Sequence, residues 1–332
     1  MLALAFRDMA VNQCGGVTPA NACDLSPAFG GRRWWPPPAS FTELDLHAVG
    51  QSLRGKHVCF TVHGFNVDRD DGATGFGTHA QECGLGGALL SLTPQVNLYT
   101  AGVDIVIPVL WAGDWYLPIN YPFLLPDIRL TGKYFADLIT SGIWPIHEIS
   151  FLTHSMGVRV VMETIQQATQ MATTAGKRLP RINTAIFTAP AVSDQIFDDP
   201  DYADSVNIVR NFVVVSSKAD TILSQAFPAG NAVEQQLWAN DPGADEALGR
   251  YGPRVQQGSK ALGKIQWYEI PLPTDPNDPG QNHGDYFPTP SAPVPPYPNG
   301  WSSKRVKIGQ LSQTLLNGQK PAWPPEKLVA PW

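Results

Sequence analysis

No apolar run in the chain approaches the ~18 residues that a membrane-spanning helix requires, so no transmembrane segment is expected. There is no basic stripe and no long block of like charge. The 23 basic and 29 acidic residues are mixed along the sequence, for a net charge of −6, and nucleic acid is not an expected partner. Cysteine is scarce: Cys14, Cys23, Cys59 and Cys83, with no C-x-x-C pair, which argues against a zinc or redox site. Cys59 sits in the apolar run VCFTV and reads as a buried thiol. Cys14 and Cys23 flank a Gly/Pro loop and suit a bridge if the protein is exported. The start, MLALAFRDMAV, lacks a basic leader and meets Arg7 and Asp8 at once, making a poor secretion signal and a fair first strand. A cytoplasmic location is expected, with export through a signal removed before this numbering as the alternative. Internal repeats and long linkers are missing too. With 332 residues, 43% of them hydrophobic, the chain can bury a large core and reads as a single domain, 1–332.

Proline is abundant instead, 31 residues in all, with clusters at Pro36–Pro38, Leu117–Pro126, Pro271–Pro298 and in the final PAWPPEKLVAPW. Such stretches suit ordered loops wrapping a core. Between them lie continuous apolar runs: Val58–Val62, Val103–Leu110, Glu148–Thr153, Thr184–Thr188, Phe212–Ser216 and Ile265–Ile270. Runs without alternation suit strands buried on both faces of a parallel sheet. Helical spacing separates several of them, at Ile128–Leu138 and over Gly157–Ala175. The alternation predicts an α/β fold with a mostly parallel sheet, whose sites form at the carboxyl ends of strands.

One such end is SFLTHSMGVRV, Ser150–Val160. Ser155 lies where the strand should end and a helix begin, a turn that lifts a hydroxyl above the sheet edge as a nucleophile. Serine is also a favoured helix N-cap, which is the plainer reading. Gly157 suits a close strand–helix approach, and the Met156 N–H is placed to meet a developing oxyanion. Thr153 is the discordant residue, because the motif G-x-S-x-G wants glycine there.

A nucleophilic serine needs a base. Of seven histidines only His283, in NHGDYF, follows Ser155, as the order serine, acid, histidine requires of strand–turn–helix enzymes. Two aspartates qualify as the acid: Asp194, closing TAIFTAPAVSD, and Asp220, closing NFVVVSSKAD. Asp220 follows the second strand beyond the serine and is preferred.

These residues resemble the α/β-hydrolase superfamily, and most of all a bacterial, esterase-like branch marked by HGFN and HSMG. The matching pieces are VHGFNV (Val62–Val67), the run ending in WAGDW, THSMG, TAPAVSDQIF, SSKAD and NHGDYF, in an order covering about residues 56–290. The resemblance implies an α/β-hydrolase fold and ester hydrolysis by a Ser155–His283–Asp220 triad, with Phe65 and Met156 supplying the oxyanion hole. His63 and Asn66 would brace the loop. No metal and no organic cofactor is implied, and the expected partner is a small-molecule or lipid-like ester.

On the substrate side, WAGDWYLPINYPFLLPD (Trp111–Asp127) is aromatic and rich in proline. Trp115, Tyr116, Tyr121 and Phe123 are candidate pocket residues, and 112–127 and 221–262 are candidate lid segments. DRDDG (Asp68–Gly72) starts like a calcium loop, but its twelfth residue is His79 rather than glutamate, so calcium is not expected. Acyl transfer, action on thioesters, lactones or polyesters, and a non-catalytic binding protein are the alternatives. Oligomeric state is not set by the sequence.

Overall fold

The computed structural model describes residues 2–7, 16–24, 42–65, 103–113, 124–228, 246–274, 280–286, 311–312 and 314–331. All six apolar runs become strands: β4 (His57–Val62), β5 (Ile105–Trp111), β6 (Glu148–His154), β7 (Arg181–Thr188), β8 (Asn211–Ser217) and β9 (Ile265–Ile270). The N-terminal run is β1 (Leu2–Arg7). From their second residue onward β4, β5 and β6 are buried without alternation, as strands covered on both faces must be.

The strands form one sheet in the order β10-β9-β8-β7-β6-β4-β5-β1-β2-β3, where β2 is Val17–Asp24, β3 is Thr42–Leu44 and β10 is Glu326–Lys327. Every pairing from β9 through β1 is parallel. Antiparallel β2, β3 and β10 extend the two edges. The Gly/Pro stretch between Cys14 and Cys23, expected as a loop, is a strand from Val17 onward. Its register against β1 jumps from Ala5↔Asn21 to Arg7↔Val17. Pro19 falls in that bulge, where its missing N–H costs no ladder bond.

Helices flank the sheet. The principal ones are α1 (Leu46–Ser52), α2 (Leu125–Thr140) and α3 (Gly157–Ala175). A proline in the first turn of α2 and left-handed Gly176 after α3 mark a start and a stop. The two long helices pack closely at Gly132, where an added Cβ would lie 2.6 Å from Glu163 Cβ. Under α2 the aromatic core joins helix to sheet. Phe135 meets Phe60 edge-on at 4.9 Å between centroids and Phe6 at 5.1 Å. Burial of each such ring is worth roughly 1.5–3 kcal/mol. Cys59 is fully buried as expected, and burial pushes its thiol up to about 12. Cys14 and Cys83 lie outside the described residues.

The site is organised around β4. It lies between β5 and β6, with Val62 paired to Thr153. The chain leaves β4 for β5 on one side and leaves β6 for β7 on the other. Such a reversal is where open α/β sheets hold their ligands, at the carboxyl ends of the two strands. Those ends carry His63-Gly64-Phe65 and Ser155.

Candidate active site

Ser155 stands one residue beyond β6 with φ of 53°, one of two described non-glycine residues in the left-handed region. Its N–H still donates to Thr188 O at 3.1 Å, which prolongs the ladder to β7 by one residue before the chain turns into α3. The turn is possible because position 157 has no side chain. A Cβ there would lie 2.5 Å from His63 O and 2.7 Å from Val62 O. Glycine lets the amino end of α3 close on the end of β4.

Thr153 has a clear place. It is fully buried in β6, donates its hydroxyl to Ile186 O at 3.2 Å, and accepts from Thr188 Oγ1 on its own carbonyl at 2.6 Å. The β-branched residue fastens β6 to β7 just below the serine turn and does not enter it.

The structure brings Ser155 and His283 together. His283 opens a 3-10 turn, His283–Tyr286, and its Nε2 lies 2.9 Å from Ser155 Oγ. Its Nδ1 lies 2.7 Å from Asp220 Oδ2. The three residues are 5%, 3% and 0% exposed in the order Ser155, His283, Asp220, so the chain of contacts is screened from water. Asp220 is held at several points. Its other carboxylate oxygen accepts from Leu223 N at 2.9 Å, capping the helix over 221–228, and its carbonyl accepts from an Arg250 guanidinium N–H at 2.7 Å. Asp194 lies elsewhere. It is fully buried, with Arg254 Nε 3.7 Å from its carboxylate.

His63 braces the loop after β4. Its Nε2 accepts from Trp111 N at 3.1 Å, so Nδ1 carries the proton and donates to Gly64 O at 2.8 Å. Trp111 Nε1 donates in turn to His63 O at 2.8 Å, and the two rings stack. Burial pushes the His63 pKa down to about 3, which keeps this arrangement neutral. Gly64 packs directly on the serine, since a Cβ there would lie 2.8 Å from Ser155 Cβ. Among the described residues, the N–H groups of Phe65 and Met156 have no hydrogen-bond partner.

Trp115, Tyr116, Tyr121 and Phe123 lie outside the described residues, as do Asn66 and the DRDDG stretch. Of the described ends of 221–262, residues 221–228 form a largely exposed helix that buries Leu223 and Phe227, and residues 246–262 contribute core side chains. Leu248, Val255 and Ala261 are fully buried, and Leu248 N and Gly249 N donate to Val192 O and Pro190 O. Arg250, in this stretch, was not legible in the sequence. Its partner is a main-chain carbonyl, which leaves no pattern of residue types. Among the described residues no group of acidic, histidine or cysteine side chains is arranged to hold a metal, and no helix is long and apolar enough to cross a membrane.

A family model described as an alpha/beta hydrolase of unknown function (DUF900) matches residues 134–236, from α2 through the serine turn to past Asp220. Among solved structures, a novel thermophilic esterase from the planctomycete Thermogutta terrifontis, described with propionate bound, is similar at 11% identity. That similarity covers 79% of this chain and 83% of the esterase, with a TM-score of 0.31. No curated protein matches the chain. A mostly parallel sheet reversing at β4 and a serine turn feeding α3 give the chain an α/β-hydrolase fold, and the alpha/beta hydrolase family match falls on that serine turn and α3.

Proposed function

We propose that the protein hydrolyses carboxylic esters through an acyl-enzyme on Ser155. The observation that carries this reading is the buried contact series from Ser155 Oγ to His283 Nε2 at 2.9 Å and from His283 Nδ1 to Asp220 Oδ2 at 2.7 Å. As Oγ attacks the acyl carbon, its proton passes to Nε2, and Asp220 holds Nδ1–H and stabilises the imidazolium. The tetrahedral oxyanion is met by the N–H groups of Phe65 and Met156. Two features support Phe65. The Gly64 carbonyl is drawn to His63 Nδ1, and in a trans peptide the following N–H points the opposite way. Met156 is the N-cap of α3, at the helix end where main-chain N–H groups gather. Collapse expels the alkoxide with the proton from His283, and water then repeats the sequence on the acyl-enzyme to release the acid.

The ester is a small molecule or lipid-like. β5 delivers the chain to the same sheet edge at Trp111, and the aromatic residues beyond it, Trp115, Tyr116, Tyr121 and Phe123, are proposed to line the acyl side. A chain-length series of chromogenic esters tests the reading. Turnover is expected for at least part of the series, and Ser155→Ala is expected to abolish it. Equal turnover by the variant overturns the assignment.

A further inference from the structure

His154 closes β6 directly before Ser155 and has no part in the proton relay. Its side chain is buried, with Nε2 2.8 Å from the main-chain carbonyl oxygen of His283. A carbonyl only accepts, so Nε2 carries the proton and donates it. Burial, reinforced by charge on His283, pushes the His154 pKa down to about 3. The ring therefore stays neutral across the range in which an ester hydrolase with a histidine base operates. Nδ1 faces the other loop of the site, since a Cβ on Gly64 would lie 3.2 Å from it. The His154 and His283 ring centroids are 4.7 Å apart, and Tyr286 packs beyond at 6.1 Å. One imidazole thus touches the Gly64 turn on one side and the histidine loop on the other, while its own main chain leads into the nucleophile.

We propose that His154 is a positioning residue, whose Nε2–H···O=C bond fixes the main chain of His283 and thereby the separation of His283 Nε2 from Ser155 Oγ. The need is geometric. The contacts of His283 with Asp220 and Ser155 orient its ring but do not hold its main-chain carbonyl, so a slide of the main chain at that residue would carry the ring with it. A bond at the carbonyl stops that slide at its base. Displacement of a reacting group by about 1 Å can cost on the order of 10²-fold in rate. This proposal rests on Ser155 and His283 being nucleophile and base.

Four proteins test it: wild type, His154→Gln, His154→Phe and Ser155→Ala. Each is assayed for steady-state hydrolysis of a chromogenic ester and for the rate of labelling by a fluorophosphonate. Glutamine can place an N–H where Nε2 stood, whereas phenylalanine keeps the ring and loses the donor. His154→Phe is expected to lower kcat by roughly 10- to 100-fold with KM little changed, and His154→Gln to restore most of the loss. Nitrogen-15 spectra of histidine-labelled wild type supply a readout that does not depend on the variants folding. His154 should show the Nε2-protonated tautomer, without titration, between pH 5 and 9. Wild-type kcat in folded His154→Phe, equal losses in both His154 variants, or a proton on Nδ1 would each overturn the proposal. Failure of wild type itself to be labelled would instead bring down the assignment of Ser155, and this proposal with it.

Discussion

Asp220 and His283 lie 63 positions apart in sequence, and their side chains meet at 2.7 Å in an interior that leaves Asp220 with no exposed surface. The bond is made by two loops at the same edge of the sheet, one after β8 and one beyond β9. Asp194 lies after β7 and is turned toward Arg254 instead. Asp220→Asn should therefore lower kcat by on the order of 10³- to 10⁴-fold, because the amide favours the wrong imidazole tautomer. Asp194→Asn should act on thermal stability and leave most of the turnover. Steady-state kinetics and melting curves of both variants decide the matter, and the opposite ranking would assign the acid to Asp194.

Gly157 has a different kind of importance. With backbone oxygens of Val62 and His63 within 2.7 Å of where a Cβ would stand, Gly157→Ala must push α3 away from β4. Such overpacking costs about 1–3 kcal/mol. Chemical denaturation should report that loss, and the displaced Met156 N–H should lower kcat more than it raises KM. A variant as stable and active as the parent would show that the close approach of helix to strand is not required.

The two buried histidines make stability depend on pH. His63 and His154 are both pushed down to about 3 in the folded protein from an ordinary 6.5, burial being the largest cause for each. Their folded-state pKa values are depressed, so between pH 6.5 and 3 the unfolded chain binds protons that the folded chain refuses. Stability is complete above pH 6.5 and falls as pH drops, by roughly 2 kcal/mol per histidine on reaching pH 5. Denaturation midpoints measured from pH 7.5 to 5 should fall accordingly, and His154→Gln should flatten the slope by about one proton. A flat wild-type profile would contradict the neutral, buried placement of both rings.

Much of the fold was legible because the parallel strands bury both faces. Their runs are largely apolar, continuously so in strands such as β4, and all six strands β4–β9 could be read from composition. The order of serine, aspartate and histidine was legible because strand ends deliver the loops in sequence order. β2 was not, because its strand character comes from pairing with β1 across a bulge and VTPANACD carries no apolar alternation. Thr153 looked like a defect only while it was placed in the turn. In the sheet it is a residue of β6 whose hydroxyl bonds a neighbouring strand. The supports from His154 and Arg250 were hidden for one shared reason: each donates to a main-chain carbonyl, and any residue can provide that acceptor.

The central claim is that Ser155 is a nucleophile activated by His283. Incubation of the protein with a fluorophosphonate, followed by intact-mass measurement, tests it most directly. One adduct per chain is predicted, absent in Ser155→Ala and formed far more slowly in Asp220→Asn. Labelling that persists undiminished in Ser155→Ala would contradict the account.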